Sequence, residues 1–285
     1  MARVVKSGTR ERLLVFTDLD GTLQDHETYS YAEASEALEL LRLCQIPLIL
    51  CSSKTRAEIE PLRAALKLRH PFICENGGAL FIPTGYFTFR PEGARRLRNY
   101  EVVEFGADYA KLVETLRKIS KQREIRVRGF SDMSPAELAR DCGLSVREAR
   151  LAKRREYDEP FRILDERPQS RPRLLGALRR RGLRCVRGGR YFHVTGATDK
   201  GLAVRTLKSL YEREWGAVRL MGLGDGLNDA SLLREVDVPV IVRNPTAGFT
   251  GRLHRQVPAA TLTRSAGPRG WNEAVIAAVA KYLPQ

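Results

Sequence analysis

The chain has 285 residues, of which 43 % are hydrophobic, and a formal net charge of +15. This hydrophobic content supplies a sizeable core and excludes an intrinsically disordered chain, and the length is typical of about two domains. The apolar run at 274–280 is too short to cross a membrane, and the four apolar residues at 13–16 are too few for a signal-peptide core. The sequence therefore predicts a cytoplasmic protein with no membrane partner.

The positive charge is concentrated in the middle of the chain. Residues 84–195 carry 27 Lys and Arg against 15 Asp and Glu, so most of the net charge lies there. Such a segment suits a nucleic acid or a small anionic substrate, and it is also typical of an arginine-rich solvated surface. Because the basic residues are not interleaved with the aromatic residues of a stacking surface, we expect no nucleic-acid partner.

The first third of the chain alternates strands and helices. Apolar runs at 13–16, 47–51 and 72–74 predict buried strands, and helical patterns at 32–44 and 55–66 separate them. Strand–helix–strand repeats of this length predict a parallel α/β sheet.

The middle of the chain does not alternate in this way and predicts a self-contained α+β insert. Its predicted elements are strands at 101–105, 125–128 and 161–164, helices at 108–121, from 134, from 145 and at 169–181, and a hairpin pairing 183–186 with 191–194 across Gly188 and Gly189. The candidate hinges of this insert are the turns at 83–85 and 195–196.

The last third returns to alternation, with a helix at 199–214, a strand at 218–223, a helix from 229, a strand at 239–242 and a final helix at 271–282. The sequence therefore predicts a Rossmann-like parallel-sheet core and an inserted α+β domain. The core covers residues 1–83 and 196–285, and the inserted domain covers residues 84–195.

Two carboxylates end the first predicted strand. Side chains alternate along a strand, so Asp18 and Asp20 leave the same face, and Gly21 lets the backbone turn away. Like charges held this close repel each other and raise one pKa, which a bound cation relieves. One carboxylate then acts as a nucleophile while the other moves a proton. The alternative is an exposed Asp-rich turn.

Three further groups are predicted at the same edge of the sheet. Ser52 and Ser53 follow the second strand, where they either hold a phosphate oxygen or only cap the next helix. Lys200 lies at the start of a helix, where the helix dipole disfavours a cation. A bound anion explains this lysine, and the alternative is a mobile surface side chain.

Asp225 and Asp229 form the last polar group, and Asn228 lies between them. Asp225 directly follows a predicted strand, so it can face the first two carboxylates, whereas Asp229 is also explained as a favourable charge at a helix N-terminus. Oxygen ligands without His or Cys suit a hard cation, most simply Mg²⁺. Carboxylates, hydroxyl and lysine at one sheet edge meet the demands of phosphoryl transfer.

These residues resemble the four motifs of the haloacid dehalogenase-like phosphatases. Asp18 and Asp20 match the first motif, Ser52 the second, Lys200 the third and residues 224–229 the fourth. The long insert resembles a cap domain of the C2B type. A closer resemblance, to the mannosyl-3-phosphoglycerate phosphatase family, extends over 16–23, 52–59, 75–79, 130–133, 152–161 and 193–196.

The resemblance implies a phosphatase that hydrolyses mannosyl-3-phosphoglycerate to mannosylglycerate and phosphate. Asp18 would form an aspartyl-phosphate, and Asp20 would act as general acid and then as general base. The implied cofactor is Mg²⁺, held by Asp18, the Asp20 carbonyl and Asp225, with Asp229 in support.

The resemblance also implies the substrate contacts. Ser52 and Lys200 would bind the transferring phosphate. The residues assigned to the rest of the substrate are Ser53, Lys54, Asn76, Gly77, Gly78, His193 and Asn228. Many members of the wider superfamily carry Thr-Gly-Arg at the second motif where this chain has serines, so either serine remains a candidate for the phosphate contact.

Two alternatives stay open at this point. The first is the same chemistry on another sugar phosphate, such as glucosyl-3-phosphoglycerate or a hexose phosphate. The second is a nucleic-acid-binding protein on a degenerate phosphatase core.

Overall fold

The computed structural model describes residues 11–188, 190–245 and 249–283, and in these ranges the chain forms two β-sheets with helices around them. The strands are β1 (Arg12–Thr17), β2 (Leu48–Cys51), β3 (Phe72–Cys74), β4 (Ala79–Pro83), β5 (Arg95–Leu97), β6 (Tyr100–Glu104), β7 (Val127–Gly129), β8 (Asp158–Ile163), β9 (Arg184–Gly188), β10 (Tyr191–Thr195), β11 (Val218–Gly224), β12 (Val238–Arg243) and β13 (Thr261–Ala266). The helices are α1 (Ser35–Leu43), α2 (Arg56–Ala65), α3 (Tyr109–Arg123), α4 (Pro135–Cys142), α5 (Val146–Ala152), α6 (Ser170–Arg179), α7 (Lys200–Trp215), α8 (Ala230–Arg234), α9 (Phe249–Gln256) and α10 (Gly267–Tyr282).

The large sheet has the strand order β13-β12-β11-β1-β2-β3-β4-β6-β5. The strands from β13 to β3 are parallel, and β4, β6 and β5 extend the sheet in antiparallel pairs. β1 lies inside the sheet between β11 and β2, so the ends of all three strands meet at one edge. This parallel core confirms the fold class that the strand–helix alternation predicts.

The side chains of β1 pack into two hydrophobic cores, one on each face of the large sheet. Leu13 and Val15 pack into the core that α1, α2 and α10 cover. Leu14 and Phe16 pack into the opposite core, which includes residues of α7, α8 and α9. Burial on both faces explains why this strand is a continuous apolar run and not an alternating one.

The large sheet takes up part of the chain that the sequence predicts as insert. Strands β5 and β6 lie beyond residue 83, but β6 pairs with β4, and β5 pairs with β6. Four of the five residues of β4 are buried, and Val102 of β6 is buried in the same core, so apolar burial anchors this extension. The predicted insert boundary at residue 84 therefore differs from the structure, which keeps the chain on the large sheet up to Glu104.

The sequence prediction also omits β4, β5, β13 and α9. Strand β13 has mostly exposed or half-buried residues and no apolar run, and α9 is a short, largely polar helix. Both elements form because β13 pairs with β12 and because Leu253 of α9 is buried in the core of the large sheet. Such non-local contacts leave little trace in a local hydrophobic pattern.

The small sheet has the antiparallel order β7-β8-β10-β9, and helices α3 to α6 pack around it. We call these elements, residues 109–195, the small-sheet unit. Side chains of β10 alternate, so Phe192 and Val194 face α3 and α6 while Tyr191 packs with α4 and α5. The predicted hairpin is confirmed by the pairing of β9 with β10, and its Gly189 lies outside the described residues.

The helices are too short or too polar for a bilayer. The longest two, α7 and α10, have 16 residues each. At a rise of about 1.5 Å per residue they fall short of a hydrocarbon core of about 30 Å. Within the ranges that the structure describes, no helix is able to span a membrane.

Candidate active site

The carboxylates and hydroxyls predicted from the sequence meet at the carboxyl edge of the large sheet. Asp18 directly follows β1, Ser52 follows β2 and Asp225 follows β11. Because β1 lies between β2 and β11, these three positions are neighbours in space. Ligands of open α/β sheets bind at this edge, so the topology itself places the site.

Three buried carboxylates form the centre of the site. Asp18, Asp225 and Asp229 each offer an oxygen atom, and these atoms lie within 4.8 Å of one another. Burial and the neighbouring acids raise the pKa of Asp18 to about 7 and that of Asp225 well above its usual value. We call these residues the three-acid cluster. A group of oxygen donors without His or Cys fits a hard divalent cation such as Mg²⁺.

Lys200 lies inside this cluster. Its Nζ donates to an oxygen of Asp18 and to an oxygen of Asp229, both at 2.6 Å, and only 1 % of the residue is exposed. Burial opposes its charge, but the two carboxylates together raise its pKa above the usual value. The alternative of a mobile surface lysine is therefore wrong, because this ammonium group neutralises buried acids.

A hydrogen-bond network orients Asp225 and Asp229. Asp229 accepts the backbone N–H groups of Asp225 (3.1 Å) and Gly226 (2.9 Å), which fixes the loop after β11. Asp225 accepts from the hydroxyl of Thr22 (3.2 Å) and from the side-chain amide of Asn244 (2.6 Å). Asn244 is not among the site residues predicted from the sequence, although its place two residues after the predicted strand at 239–242 is a usable signal.

Gly21 is required by the close approach of the first motif to Asp225. Its φ is +77°, and a Cβ at this position would lie 2.6 Å from an oxygen of Asp225. A side chain would therefore both strain the backbone and push the carboxylate out of the three-acid cluster.

Asp20 is separate from the three-acid cluster. One of its oxygens lies 3.0 Å from Nζ of Lys54, and that ammonium group also sits 4.7 Å from the ring centroid of Tyr29. Burial opposes the charge of Lys54, but Asp20 and Glu58 raise its pKa above the usual value. Asp20 is thus a carboxylate beside the cavity, where it can exchange a proton with a substrate oxygen.

The two serines of the second motif have different surroundings. Ser52 is 1 % exposed, and its hydroxyl accepts the backbone N–H of Lys54 at 3.2 Å. Ser53 lines the cavity, and its carbonyl accepts from the guanidinium of Arg155 at 2.7 Å. Thr55, and neither serine, caps α2. Ser52 therefore lies at the sheet edge, and Ser53 lies at the cavity.

A cavity of about 430 Å³ opens over the carboxylates, between the large sheet and the small-sheet unit. The large-sheet side contributes Asp18, Asp20, Lys54, Asp225 and Asn228. The small-sheet unit contributes Arg155, Arg187, Arg190, Tyr191 and His193. Cationic and hydrogen-bonding side chains therefore cover the carboxylates, an arrangement that suits an anionic, hydroxyl-rich ligand.

The turn at 75–78 lies between the two units and not on this cavity. Its residue Asn76 donates to Asp158 at 2.7 Å and accepts from Asn228 at 3.3 Å. Gly77 packs against the backbone of Asp199, and its carbonyl accepts from Thr198. Gly78 packs against the side chain of Tyr157. The structure thus brings the predicted residues Asn76, Gly77 and Gly78 to the junction and does not place them on the cavity.

Comparison with known proteins agrees with this geometry. Residues 15–88 match the model of a family described as haloacid dehalogenase-like hydrolase. A phosphatase of Bacteroides thetaiotaomicron from the same superfamily has a TM-score of 0.64 at 17 % identity, covering 99 % of both chains, and this likeness supports the fold.

Two curated relatives carry the name glucosyl-3-phosphoglycerate/mannosyl-3-phosphoglycerate phosphatase. The protein from Methanococcoides burtonii is 42 % identical over 273 residues, which are 94 % of this chain and 97 % of the relative. The protein from Persephonella marina is 36 % identical over 267 residues, which are 92 % of this chain and 96 % of the relative. The chain therefore belongs to the haloacid dehalogenase-like hydrolases, in the family that contains these two phosphatases, and it is a phosphoric monoester hydrolase.

Proposed function

We propose that the chain hydrolyses mannosyl-3-phosphoglycerate to mannosylglycerate and phosphate in a Mg²⁺-dependent reaction. The observation that carries this proposal is the buried three-acid cluster with Lys200 beneath a cavity rich in cationic side chains. Glucosyl-3-phosphoglycerate is the second candidate substrate, because the names of both curated relatives include the two sugars.

The chemistry follows from the placement of Asp18 and Asp20. Asp18 attacks phosphorus, the bond from phosphorus to the glycerate oxygen breaks, and Asp20 donates a proton to that leaving oxygen. Asp20 then takes a proton from a water molecule, which attacks the aspartyl-phosphate and releases phosphate. Each turnover consumes one water and returns Asp18 as the carboxylate and Asp20 as the protonated acid.

The other residues of the site hold the phosphate and balance its charge. Lys200 keeps one oxygen of Asp18 in place and compensates its charge. We assign a phosphate oxygen to the hydroxyl of Ser52, which follows β2 at the same sheet edge as Asp18. Mg²⁺, held by Asp18, the Asp20 carbonyl and Asp225 with Asp229 in support, would supply positive charge for the transferring phosphoryl group.

The remaining part of the substrate carries a carboxylate and a sugar. Lys54 and Ser53 on the large-sheet side and His193 on the small-sheet unit line the cavity next to Asp20. A cation suits the glycerate carboxylate, and the hydroxyl and the imidazole suit sugar hydroxyls. Asn228 lines the same cavity. The excess positive charge of the small-sheet unit attracts a substrate of this kind.

The test is phosphate release across a small substrate panel, with Mg²⁺ and with a chelator. The panel contains mannosyl- and glucosyl-3-phosphoglycerate, mannose phosphates and an aryl phosphate. We expect Mg²⁺-dependent release with a preference for the mannosyl compound. Equal activity on all members would contradict the substrate proposal, and chelator-resistant activity would contradict the metal proposal.

The covalent mechanism is tested by Asp18→Asn, with Asp165→Asn as the matched control. Asp165 is an acidic residue of the small-sheet unit that pairs with Arg167, away from the cavity. We expect Asp18→Asn to abolish turnover and the control to retain it. Retained turnover in Asp18→Asn would exclude an aspartyl-phosphate on this residue.

A further inference from the structure

Four polar side chains form a hydrogen-bonded chain between the small-sheet unit and the large sheet. His193 approaches both oxygens of Asp158 through Nδ1 at 3.0 Å. Asp158 accepts from Asn76 at 2.7 Å, and Asn76 accepts from Asn228 at 3.3 Å. His193 and Asn228, at the two ends, line the cavity, whereas Asp158 does not. The proposed chemistry gives Asp158 no role.

The surroundings of Asp158 determine the state of His193. Asp158 is fully buried at the start of β8, and although burial opposes its ionisation, His193 and Arg155 hold its pKa below the usual value. An ionised carboxylate only accepts hydrogen bonds, so Nδ1 of His193 must carry the proton. This leaves Nε2, which lies beside Gly188 of the cavity wall, as the ring nitrogen available to a ligand.

The hydrogen bonds on the large-sheet side of this network also have a determined direction. Asn76 has a φ of +56°, the left-handed conformation that asparagine tolerates better than most residues. Because its amide nitrogen donates to Asp158, its amide oxygen must be the acceptor for Asn228. The direction of each hydrogen bond in this network therefore follows from the ionised Asp158 at its centre, which only accepts.

We propose that Asp158 is a positioning residue, which orients His193 toward the substrate and ties it to Asn76 of the large-sheet side. The inference rests on the proposed function, since the ligand of His193 is the sugar–glycerate part of that substrate. Asp158 and His193 belong to the small-sheet unit, whereas Asn76 and Asn228 belong to the large-sheet side. The hydrogen bond from Asn76 to Asp158 exists only when the two units are in contact, so this bond holds the oriented His193 over the large-sheet side of the cavity.

The variant Asp158→Asn tests this role, because it replaces a pure acceptor by a group that both donates and accepts. We expect the KM for mannosyl-3-phosphoglycerate to rise about tenfold, the cost of one hydrogen bond to a charged group, and kcat to change far less. In a His193→Gln background the same substitution should add almost nothing, since the two residues act as a unit. Equal effects in both backgrounds would overturn the proposal.

A spectroscopic measurement tests, without any turnover, whether Asp158 orients His193. The chain has only four histidines, so the ring nitrogens of His193 can be assigned in a ¹⁵N-histidine spectrum. We expect Nδ1 of His193 to be protonated in the wild type and in Asp165→Asn, and Asp158→Asn to shift the tautomer toward Nε2–H. An unchanged tautomer in Asp158→Asn would contradict the positioning role.

A second variant keeps the proposal testable if Asp158→Asn does not fold. Asn76→Gly removes the amide and keeps the left-handed backbone. We expect its KM to rise while the His193 tautomer stays as in the wild type; an unchanged KM would refute the link to the large-sheet side. Failure of the proposed function would be seen separately: the wild-type protein would then hydrolyse the aryl phosphate but neither mannosyl- nor glucosyl-3-phosphoglycerate.

Discussion

Replacing Lys200 with methionine tests how the site tolerates three buried carboxylates. The side chain of Lys200 is fully buried and contacts Asp18 and Asp229, each at 2.6 Å. Methionine has a similar volume but no charge, so the substitution leaves buried acids without their cation. Removing one partner of a buried ion pair costs about 3–5 kcal/mol, and a chain of this length loses about 2–4 °C in melting temperature per kcal/mol. We therefore expect a decrease of roughly 6–20 °C.

The loss of stability in Lys200→Met should depend on pH, and the direction of this dependence can be worked out. Without Lys200 the buried acids are more easily tolerated when they bind protons, which is easier at low pH because burial already raises the folded pKa values of Asp18 and Asp225 above the unfolded ones. A folded state that binds more protons loses stability as pH rises, so the destabilisation should be larger at pH 8 than at pH 6. Mg²⁺ supplies the missing positive charge and should stabilise the variant more than the wild type.

The assay is thermal unfolding at both pH values, with and without Mg²⁺, alongside Lys208→Met. Lys208 lies on the same helix, α7, and forms only a partly exposed pair with Glu212 at 3.9 Å. Such a pair contributes about 0.5 kcal/mol or less. Equal melting temperatures for the two variants would refute the view that Lys200 neutralises the three-acid cluster.

The remaining predictions concern the cation site. Gly21→Ala should abolish Mg²⁺-dependent turnover, because the added Cβ meets Asp225; normal turnover would contradict the steric argument. Asn244→Ala should weaken Mg²⁺ binding by about 10–100-fold, as losing an orienting partner of a ligand does, and calorimetry measures it. Since the pKa of Asp18 is raised to about 7, its binding of Mg²⁺ should release protons and tighten from pH 6 to pH 8; an affinity independent of pH would contradict this coupling.

The parts of the fold that depend on local patterns could be predicted from the sequence. The apolar run of β1 and the helix pattern of α2 are confirmed because a doubly buried strand and an amphipathic helix each leave a regular trace. The sequence prediction assigns β6 to the insert and omits β5, because the local pattern of these residues does not reveal that β6 pairs with β4 and β5 with β6.

The candidate site shows the same difference between local sequence patterns, which are predictable, and non-local contacts, which are not. Asp18, Ser52 and Asp225 could be placed together because a carboxyl strand end is visible in the sequence and parallel strands share one edge. The burial of Lys200 between two carboxylates could not be predicted, because a lysine at the start of a helix does not indicate which acids surround it in the fold. Asp158 lies in the range 152–161, which resembles the phosphatase family, yet its contact with Asn76 joins residues 82 positions apart and depends on how two units meet.

The pairing of β1 with β11 has a consequence for how the chain is made. Arg12 pairs with Val218, so about 200 residues must be synthesised before the central strand receives this neighbour. At about 5–20 residues per second this takes about 10–40 s, during which an apolar strand edge is unprotected. Slow production at low temperature, or co-expression with chaperones that cover apolar segments, should therefore raise the soluble yield. The small-sheet unit, whose strands are closer in sequence, should gain little from either measure.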